Sequence, residues 1–98
     1  MSDDAAVETI RWDERKNRWL KQHRGVCFEQ AVVCLASERV LDVTDHPNQD
    51  RYPGQKLAVI DINGYAYLVP YEHAAGEIIL KTMIPSRKAT EKYIGGAR

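Results

Sequence analysis

Apolar and polar residues alternate over 7–12, Val-Glu-Thr-Ile-Arg-Trp, near the start of the chain. This spacing predicts a half-buried strand, because successive side chains of a strand point to opposite faces. Asp13, which follows, has the side chain of a helix N-cap, and Gly25 is typical of the left-handed residue that ends a helix. We therefore predict a first helix over 13–24.

The next apolar residues follow a helical period. They stand at i, i+3, i+4 and i+7, and they are Phe28, Ala31, Val32 and Leu35. These positions form one face of an amphipathic helix. Cys27 and Cys34 flank that face without a CxxC motif, so we expect core side chains rather than a disulfide or a metal site. Alternation returns over 39–44 and predicts a short edge strand, while turn-forming residues make 45–54 a loop.

A β-hairpin is the strongest local signal in the sequence. Two apolar runs, Leu57–Ile62 and Tyr65–Tyr71, are separated by Asn63-Gly64, which accepts the positive φ angles of a type I′ turn. The turn predicts four pairs: Ile62 with Tyr65, Ile60 with Tyr67 and Ala58 with Val69 on one face, and Val59 with Leu68 on the other. Both faces are apolar and the two helices cover only one, so we expect a second cover, with a partner chain as the candidate.

The end of the chain predicts a further strand and a closing helix. Glu77–Ile84 forms the strand, Pro85 ends its ladder because proline has no N–H, and Ser86–Tyr93 has the cap and composition of a short helix. The fold class is therefore α+β, an antiparallel sheet with a central hairpin, two N-terminal helices packed on it and a short C-terminal helix. We expect one domain over 1–98, with 1–6 a flexible leader and 95–98 a flexible tail.

Length and charge limit the function classes. The chain has 98 residues, no apolar run of the roughly 18 residues that a membrane span needs, and an acidic start unlike a signal peptide, so we expect no membrane partner and a cytoplasmic location. Its net charge is zero, which by itself argues against nucleic acid. The charge is nevertheless segregated. Six bases and two acids stand in 11–24, three bases and eight acids in 25–80, and five bases and one acid in 81–98.

No metal or cofactor site is predicted. His23, His46 and His73 have no ligand spacing, and the glycines form no phosphate loop. The remaining candidates for catalysis are basic residues, histidines and tyrosines, and these side chains have the chemistry that metal-independent cleavage of RNA needs. That reaction needs a base near the ribose 2′-hydroxyl, an acid at the leaving oxygen and cations around the phosphorane.

Each candidate catalytic residue has a functional and a structural interpretation. His23 stands among the basic residues of the first helix. It is a candidate general base for catalysis, or a helix-terminal histidine that forms a hydrogen bond with the last carbonyl groups of the helix. Arg87 is a candidate phosphate ligand at the start of the closing helix, or an ion-pair partner of the acidic middle segment. Glu72 stands at a predicted strand end, where catalytic groups are often carried, or belongs to a plain exposed turn.

The candidate phosphate-binding residues are lysines. Lys16 and Lys21 belong to the basic helix, and their alternative is the solvated face of that helix. Lys88 follows Arg87 and shares its alternatives. His46-Pro47-Asn48 is interpreted as turn chemistry.

Two blocks of sequence together carry a family resemblance. The first runs from Trp12-Asp13-Glu14-Arg15-Lys16 to the segment 25–31, Gly-Val-Cys-Phe-Glu-Gln-Ala. The second is the segment 84–90, Ile-Pro-Ser-Arg-Lys-Ala-Thr, with Tyr93. Both blocks resemble the BrnT family, small toxins of bacterial type II toxin–antitoxin pairs. The resemblance covers about residues 10–94 and departs from the family at Arg24, which stands between His23 and Gly25.

The resemblance implies a RelE-like fold, a bacterial cytoplasmic location and an endoribonuclease that cleaves mRNA and inhibits translation. It also implies a cognate ribbon-helix-helix antitoxin, with a homodimer or a toxin–antitoxin hetero-oligomer as the assembly. The leading hypothesis has Arg87 stabilise the transition state, Lys16 and Lys88 hold phosphate, and His23 or Glu72 act as acid or base. The alternative is a non-catalytic, toxin-like module that binds an antitoxin or nucleic acid.

Overall fold

The computed structural model describes residues 9–37 and 39–95, and this part of the chain has an α+β fold. The strands are β1 Thr9–Arg11, β2 Val40–Asp45, β3 Gln55–Ile62, β4 Tyr65–Ala74, β5 Glu77–Leu80 and β6 Ile84–Pro85. The helices are α1 Glu14–His23, α2 Phe28–Leu35 and α3 Arg87–Ala89, and α3 continues as a π-helical turn, Thr90–Ile94. The predicted leader 1–6, and 96–98 of the predicted tail, lie outside the described residues.

The sheet is mixed, so the prediction of an antiparallel sheet is wrong at one edge. Its strand order is β1-β5-β4-β3-β2, with β6 paired to β4, and β1 runs parallel to β5. Arg11 forms an ion pair with Glu77 at 3.2 Å beside this parallel register. The direction of β1 depends on a partner far along the chain, and alternation within 7–12 carries no information about it. The predicted edge position of β2 is confirmed.

The central hairpin has the predicted turn and register. Asn63 and Gly64 have φ angles of 54° and 85°, as a type I′ turn requires. All four predicted cross-strand pairs are confirmed: Ile62–Tyr65, Ile60–Tyr67, Ala58–Val69 and Val59–Leu68.

The predicted strand Glu77–Ile84 is confirmed over Glu77–Leu80 and at Ile84 but is not continuous, because the chain leaves the ladder over residues 81–83. Pro70 of β4 offers a carbonyl to the Lys81 N–H at 2.9 Å but has no N–H to return, so the ladder is interrupted there. Met83 then turns its side chain into the core, and its carbonyl accepts a hydrogen bond from Arg24. The register between β4 and β6 is one residue out of step with that between β4 and β5.

The two faces of the sheet carry separate apolar clusters. Helices α1 and α2 cover one face, and this first core contains Leu20, Val26, Phe28, Ala31, Cys34, Ala58, Ile60, Ile62, Val69, Leu80 and Met83. The opposite face carries a second core of Val59, Ala66 and Ala89, with Leu41, Leu68, Tyr93 and Ile94 packed against it. The second cover is therefore α3 with its π-helical turn, and the partner chain expected in that place is not needed there.

The predicted caps position the helices. Asp13 Oδ1 accepts a hydrogen bond from the Arg15 N–H at 2.9 Å at the start of α1, and Gly25, with φ 69°, follows its end. Ser86 Oγ likewise accepts from the Ala89 N–H at 3.0 Å. Trp12 stacks on Phe28 at 5.6 Å between ring centroids. In the described part of the chain, no helix has the length and hydropathy needed to cross a bilayer.

Candidate nucleic-acid interface

An exposed tryptophan on α1 is surrounded by basic side chains. The Trp19 indole is 37% exposed and stacks with the His23 ring at 4.7 Å between centroids. Lys16 Nζ lies 4.4 Å and Arg24 Cζ 4.8 Å from the indole centroid. Lys16, Trp19 and His23 share one face of α1 because three- and four-residue steps bring side chains together on a helix. We call these four residues the Trp19 platform.

The platform is held from behind by a buried amide. Asn17 is fully buried, and its Oδ1 accepts from the Phe28 N–H at 2.7 Å while its Nδ2 donates to Glu29 Oε1 at 2.9 Å. These bonds join the middle of α1 to the first turn of α2. The Asn17 hydrogen bond lowers the pKa of Glu29 because it stabilises the carboxylate. The exposed face of α1 is thus presented by a helix whose other face is fixed in the first core.

His23 makes the contact that its structural interpretation predicted, and this contact also fixes its chemistry. Its Nδ1 lies 3.0 Å from the carbonyl oxygen of Trp19. A carbonyl only accepts, so Nδ1 carries the proton and donates it. In the neutral ring Nε2 is then the unprotonated nitrogen, which is the tautomer that a general base at Nε2 requires.

The structure places Arg87 and Lys88 apart from the Trp19 platform. Both are exposed and belong to α3, whose Ala89 packs in the second core, whereas Leu20 of α1 packs in the first. Neither side chain forms an ion pair within 9–37 and 39–95. Lys88 lines a groove of about 250 Å³ with Lys92 and Tyr93. The predicted phosphate site between the two basic segments is therefore divided between two faces of the sheet.

Glu72 lies within a strand and not in a turn. Strand β4 continues to Ala74, and Glu72 pairs in register with Gln55 on one side and Ile79 on the other. Its Oε1 lies 3.5 Å from Lys81 Nζ, and both side chains are partly exposed. Lys21 is exposed on α1, as the basic-helix prediction requires.

Sequence reasoning missed two groups. The spacing of Lys16, Trp19 and His23 indicates a shared helix face, but no prediction combined these residues with Arg24. The loop predicted over 45–54 is confirmed over 46–54, but the prediction gave no indication that His46 and Tyr52 meet there at 4.5 Å between ring centroids. Contacts across that loop depend on side-chain hydrogen bonds, for which no local pattern exists.

The described residues contain no group of three or more His, Cys, Asp and Glu side chains arranged to hold a metal ion. Both thiols are free, and burial raises the pKa of Cys34. Comparison of the chain with protein-family models, characterised proteins and solved structures gives no match. The resemblance to the BrnT family thus stays a prediction that rests on the two sequence blocks.

Proposed function

We propose that this protein is the toxin of a bacterial toxin–antitoxin pair, a cytoplasmic endoribonuclease that cleaves mRNA without a metal ion and so inhibits translation. The resemblance to the BrnT family supports the class of protein, and the α+β architecture is compatible with the RelE-like fold that this resemblance implies. A cognate ribbon-helix-helix antitoxin is the expected partner. The observation that carries the proposal is the Trp19 platform.

The platform has the two features that single-stranded RNA binding uses. An exposed aromatic ring stacks on a base and contributes about 1–3 kcal/mol, whichever base is present. Lys16 Nζ and Arg24 Cζ lie over the same ring and the His23 ring stacks on it, so a nucleobase stacks on Trp19 by displacing one of the two cations, whose cation–π contact is worth about 0.5–1 kcal/mol. The displaced cation stays close to the phosphate of the stacked nucleotide.

His23 supplies the base for cleavage. Its Nε2 takes the proton of the ribose 2′-hydroxyl, the 2′-oxygen forms a bond to phosphorus, and the bond from phosphorus to the 5′-oxygen breaks. The products are a 2′,3′-cyclic phosphate and a 5′-hydroxyl, whose oxygen takes a proton from water. Lys16 and Arg24 stabilise the charge on the phosphorane. Glu72 contributes no proton in this arrangement, because it lies on the opposite face of the sheet.

Arg87 and Lys88 bind the RNA backbone away from the cleaved bond in this proposal. Their place on α3 gives them a separate surface on the second-core side. Loss of either charge therefore weakens RNA binding, and it does so less at high salt because phosphate contacts are screened.

The test is cleavage of 5′-labelled RNA by the purified full chain, with the ends of the products identified. We expect His23→Ala to lower kcat by about a hundredfold, the usual contribution of a positioned general base. Trp19→Ala is expected to raise KM by about tenfold through lost stacking. Tyr65→Ala is the control, because Tyr65 is equally exposed, at 38%, but lies in β4.

Two results contradict the proposal. If His23→Ala cleaves like the unmodified protein and Arg87→Ala does not cleave, the reaction centre lies on α3. If the unmodified protein binds RNA with the Trp19 dependence but leaves it intact, the binding module replaces the nuclease as the function.

A further inference from the structure

A cavity on the second-core face lies across the segment 82–84 from Arg24. It has a volume of about 270 Å³ and is lined by His46, Tyr52, Gln55, Pro70, Lys81, Thr82 and Ile84. Gln55 and Pro70 lie on the second-core face. Successive side chains of a strand alternate between its two faces, and these two stand at the positions of β3 and β4 that alternate with the first-core residues. This volume is below the range of pockets for drug-sized ligands and suits a phosphate with part of its sugar.

The loop that carries His46 and Tyr52 is fixed by its own hydrogen bonds. Gln49 Nε2 donates to the carbonyl oxygens of His46 at 2.8 Å and of Gln55 at 3.1 Å. Gln49 Oε1 accepts from the Gly54 N–H at 3.0 Å. The Gln49 side chain thus joins both ends of the loop and holds the His46 and Tyr52 rings, which are tilted by 37° against each other, at the cavity.

His46 is fixed as a hydrogen-bond donor. Its Nδ1 accepts from the Asn48 N–H at 3.0 Å. A backbone N–H only donates, so Nδ1 is unprotonated and the neutral ring carries its proton on Nε2. Protonation of Nδ1 would set two donors against each other. His46 is therefore suited to donate a hydrogen bond to an anion and unsuited to remove a proton at Nε2.

Lys81 and Tyr52 add two further donor groups to the cavity, whose polar lining residues also include Gln55 and Thr82. Lys81 supplies an ammonium group, which also forms an ion pair with Glu72 at 3.5 Å, and Tyr52 supplies a hydroxyl group. Thr82 and Ile84 line the cavity on either side of Met83, and the Met83 carbonyl accepts the Arg24 hydrogen bond. The cavity and the Trp19 platform are therefore separated by one short segment of chain.

We propose that this cavity binds a backbone phosphate of the RNA strand, on the second-core face and away from the nucleotide that stacks on Trp19. His46 Nε2–H and the Tyr52 hydroxyl donate to the phosphate oxygens, and Lys81 supplies the charge. The inference rests on the proposed function for the identity of the ligand, whereas the site itself rests on the cavity and its donors.

Binding is tested on the full chain by ¹H–¹⁵N NMR, with inorganic phosphate and with a 2′-O-methyl oligoribonucleotide as probes. We expect both probes to shift the amide signals of 46–55 and 81–84 in a saturable manner. Lys81→Gln should weaken binding about tenfold, the effect of one charge-assisted hydrogen bond. Lys56→Gln removes the same charge from the opposite face and should weaken binding less than about twofold. Equal effects of Lys81→Gln and Lys56→Gln would mean that the probes bind through the general positive charge of the surface, and this would overturn the proposed site.

Two variants separate the donors from the fold of the loop. Tyr52→Phe keeps the ring that packs against His46 and removes only the hydroxyl group. His46→Asn keeps an oxygen that accepts the Asn48 N–H in an Asx turn and removes the Nε2–H donor. Each should weaken phosphate binding several-fold while the spectrum of the loop stays folded. Unchanged affinity in both would overturn the assignment.

Cleavage kinetics distinguish this inference from the proposed function. His46→Asn and Lys81→Gln should raise KM for RNA and leave kcat nearly unchanged, because neither group touches the cleaved bond. If RNA is cleaved and KM is unchanged in both variants, the phosphate site is wrong and the nuclease stands. If phosphate binds but RNA is never cleaved, the nuclease is wrong and the anion site stands. Tighter binding of uridine 3′-monophosphate than of the oligoribonucleotide would overturn the assignment to a strand.

Discussion

His23 and His46 are both partly exposed histidines, and each bonds a backbone group through Nδ1. The partner of His23 is a carbonyl oxygen, that of Trp19, whereas the partner of His46 is an N–H, that of Asn48. The first contact leaves Nε2 as an acceptor and the second makes it a donor. The identical side chain is thereby suited to proton abstraction in one place and to anion binding in the other. A single backbone group decides between these roles.

The supports of the two regions also differ. The Trp19 platform stands on a helix whose other face is fixed in the first core by Asn17 and Leu20. The loop of His46 is exposed and is held by hydrogen bonds of its own, chiefly those of Gln49. Local unfolding is easier where few apolar contacts are lost. We therefore expect substitutions at the supports of the Trp19 platform to lower the free energy of unfolding of the whole protein. Substitutions in the loop of His46 should affect that loop alone.

The largest effect is expected from the buried amide. Asn17→Ala leaves the buried Phe28 N–H without its acceptor, so it should lower the free energy of unfolding by about 2–3 kcal/mol. Asn48→Ala is the matched control, because Asn48 Oδ1 also accepts a backbone N–H, that of Arg51, but in the exposed loop. Its expected cost is about 0.5 kcal/mol, as for other surface substitutions. Chemical denaturation measures both values, and equal losses would contradict the difference in support.

A smaller and local effect is expected from Gln49→Ala. The variant removes three hydrogen bonds from the loop but no apolar contact of either core, so the free energy of unfolding should fall by no more than about 1 kcal/mol. Hydrogen exchange at the Gly54 amide should become about tenfold faster, while that of the Leu20 amide stays as it was. Gln22→Ala on the exposed face of α1 should change neither rate. Faster exchange at Leu20 would mean that the loop and α1 unfold together.

The parts of the fold that were predicted from sequence are those that a few neighbouring residues decide. Asp13 caps α1, Ser86 caps α3 and Asn63-Gly64 forms the type I′ turn, because each of these residues satisfies or permits its own backbone conformation. The hairpin register then follows from the turn alone. The α+β class follows from the order of these elements.

The remainder depends on contacts between distant residues. Arg11 meets Glu77, and Arg24 meets the Met83 carbonyl 59 residues away, so neither the direction of β1 nor the break after β5 has a local signal. The candidate site divides in the same way. The helical spacing of Lys16 and His23 was visible in the sequence, whereas the place of Arg87 on the opposite face depends on which surface α3 covers. The role of Gln49 depends on where its amide group lies.

The smallest difference between the two regions concerns two carboxyl groups. The pKa of Glu29, beside the platform, is lowered chiefly by the neutral Asn17 amide, and the pKa of Asp45, at the base of the loop, is lowered by the Lys56 ammonium at 2.8 Å. At about 1 M salt the Debye length falls to roughly 3 Å, so the pKa of Asp45 should rise towards 3.8 while that of Glu29 moves less. Because a lowered pKa favours the folded state, the stabilisation by Asp45 is present above pH 3.8 and is lost as the pH falls towards its folded value. Carboxyl ¹³C titration at low and high salt measures both groups, and Lys56→Gln should abolish the salt dependence of Asp45. A larger change of pKa with salt at Glu29 than at Asp45 would show that nearby charges, and not the Asn17 amide, chiefly lower the pKa of Glu29.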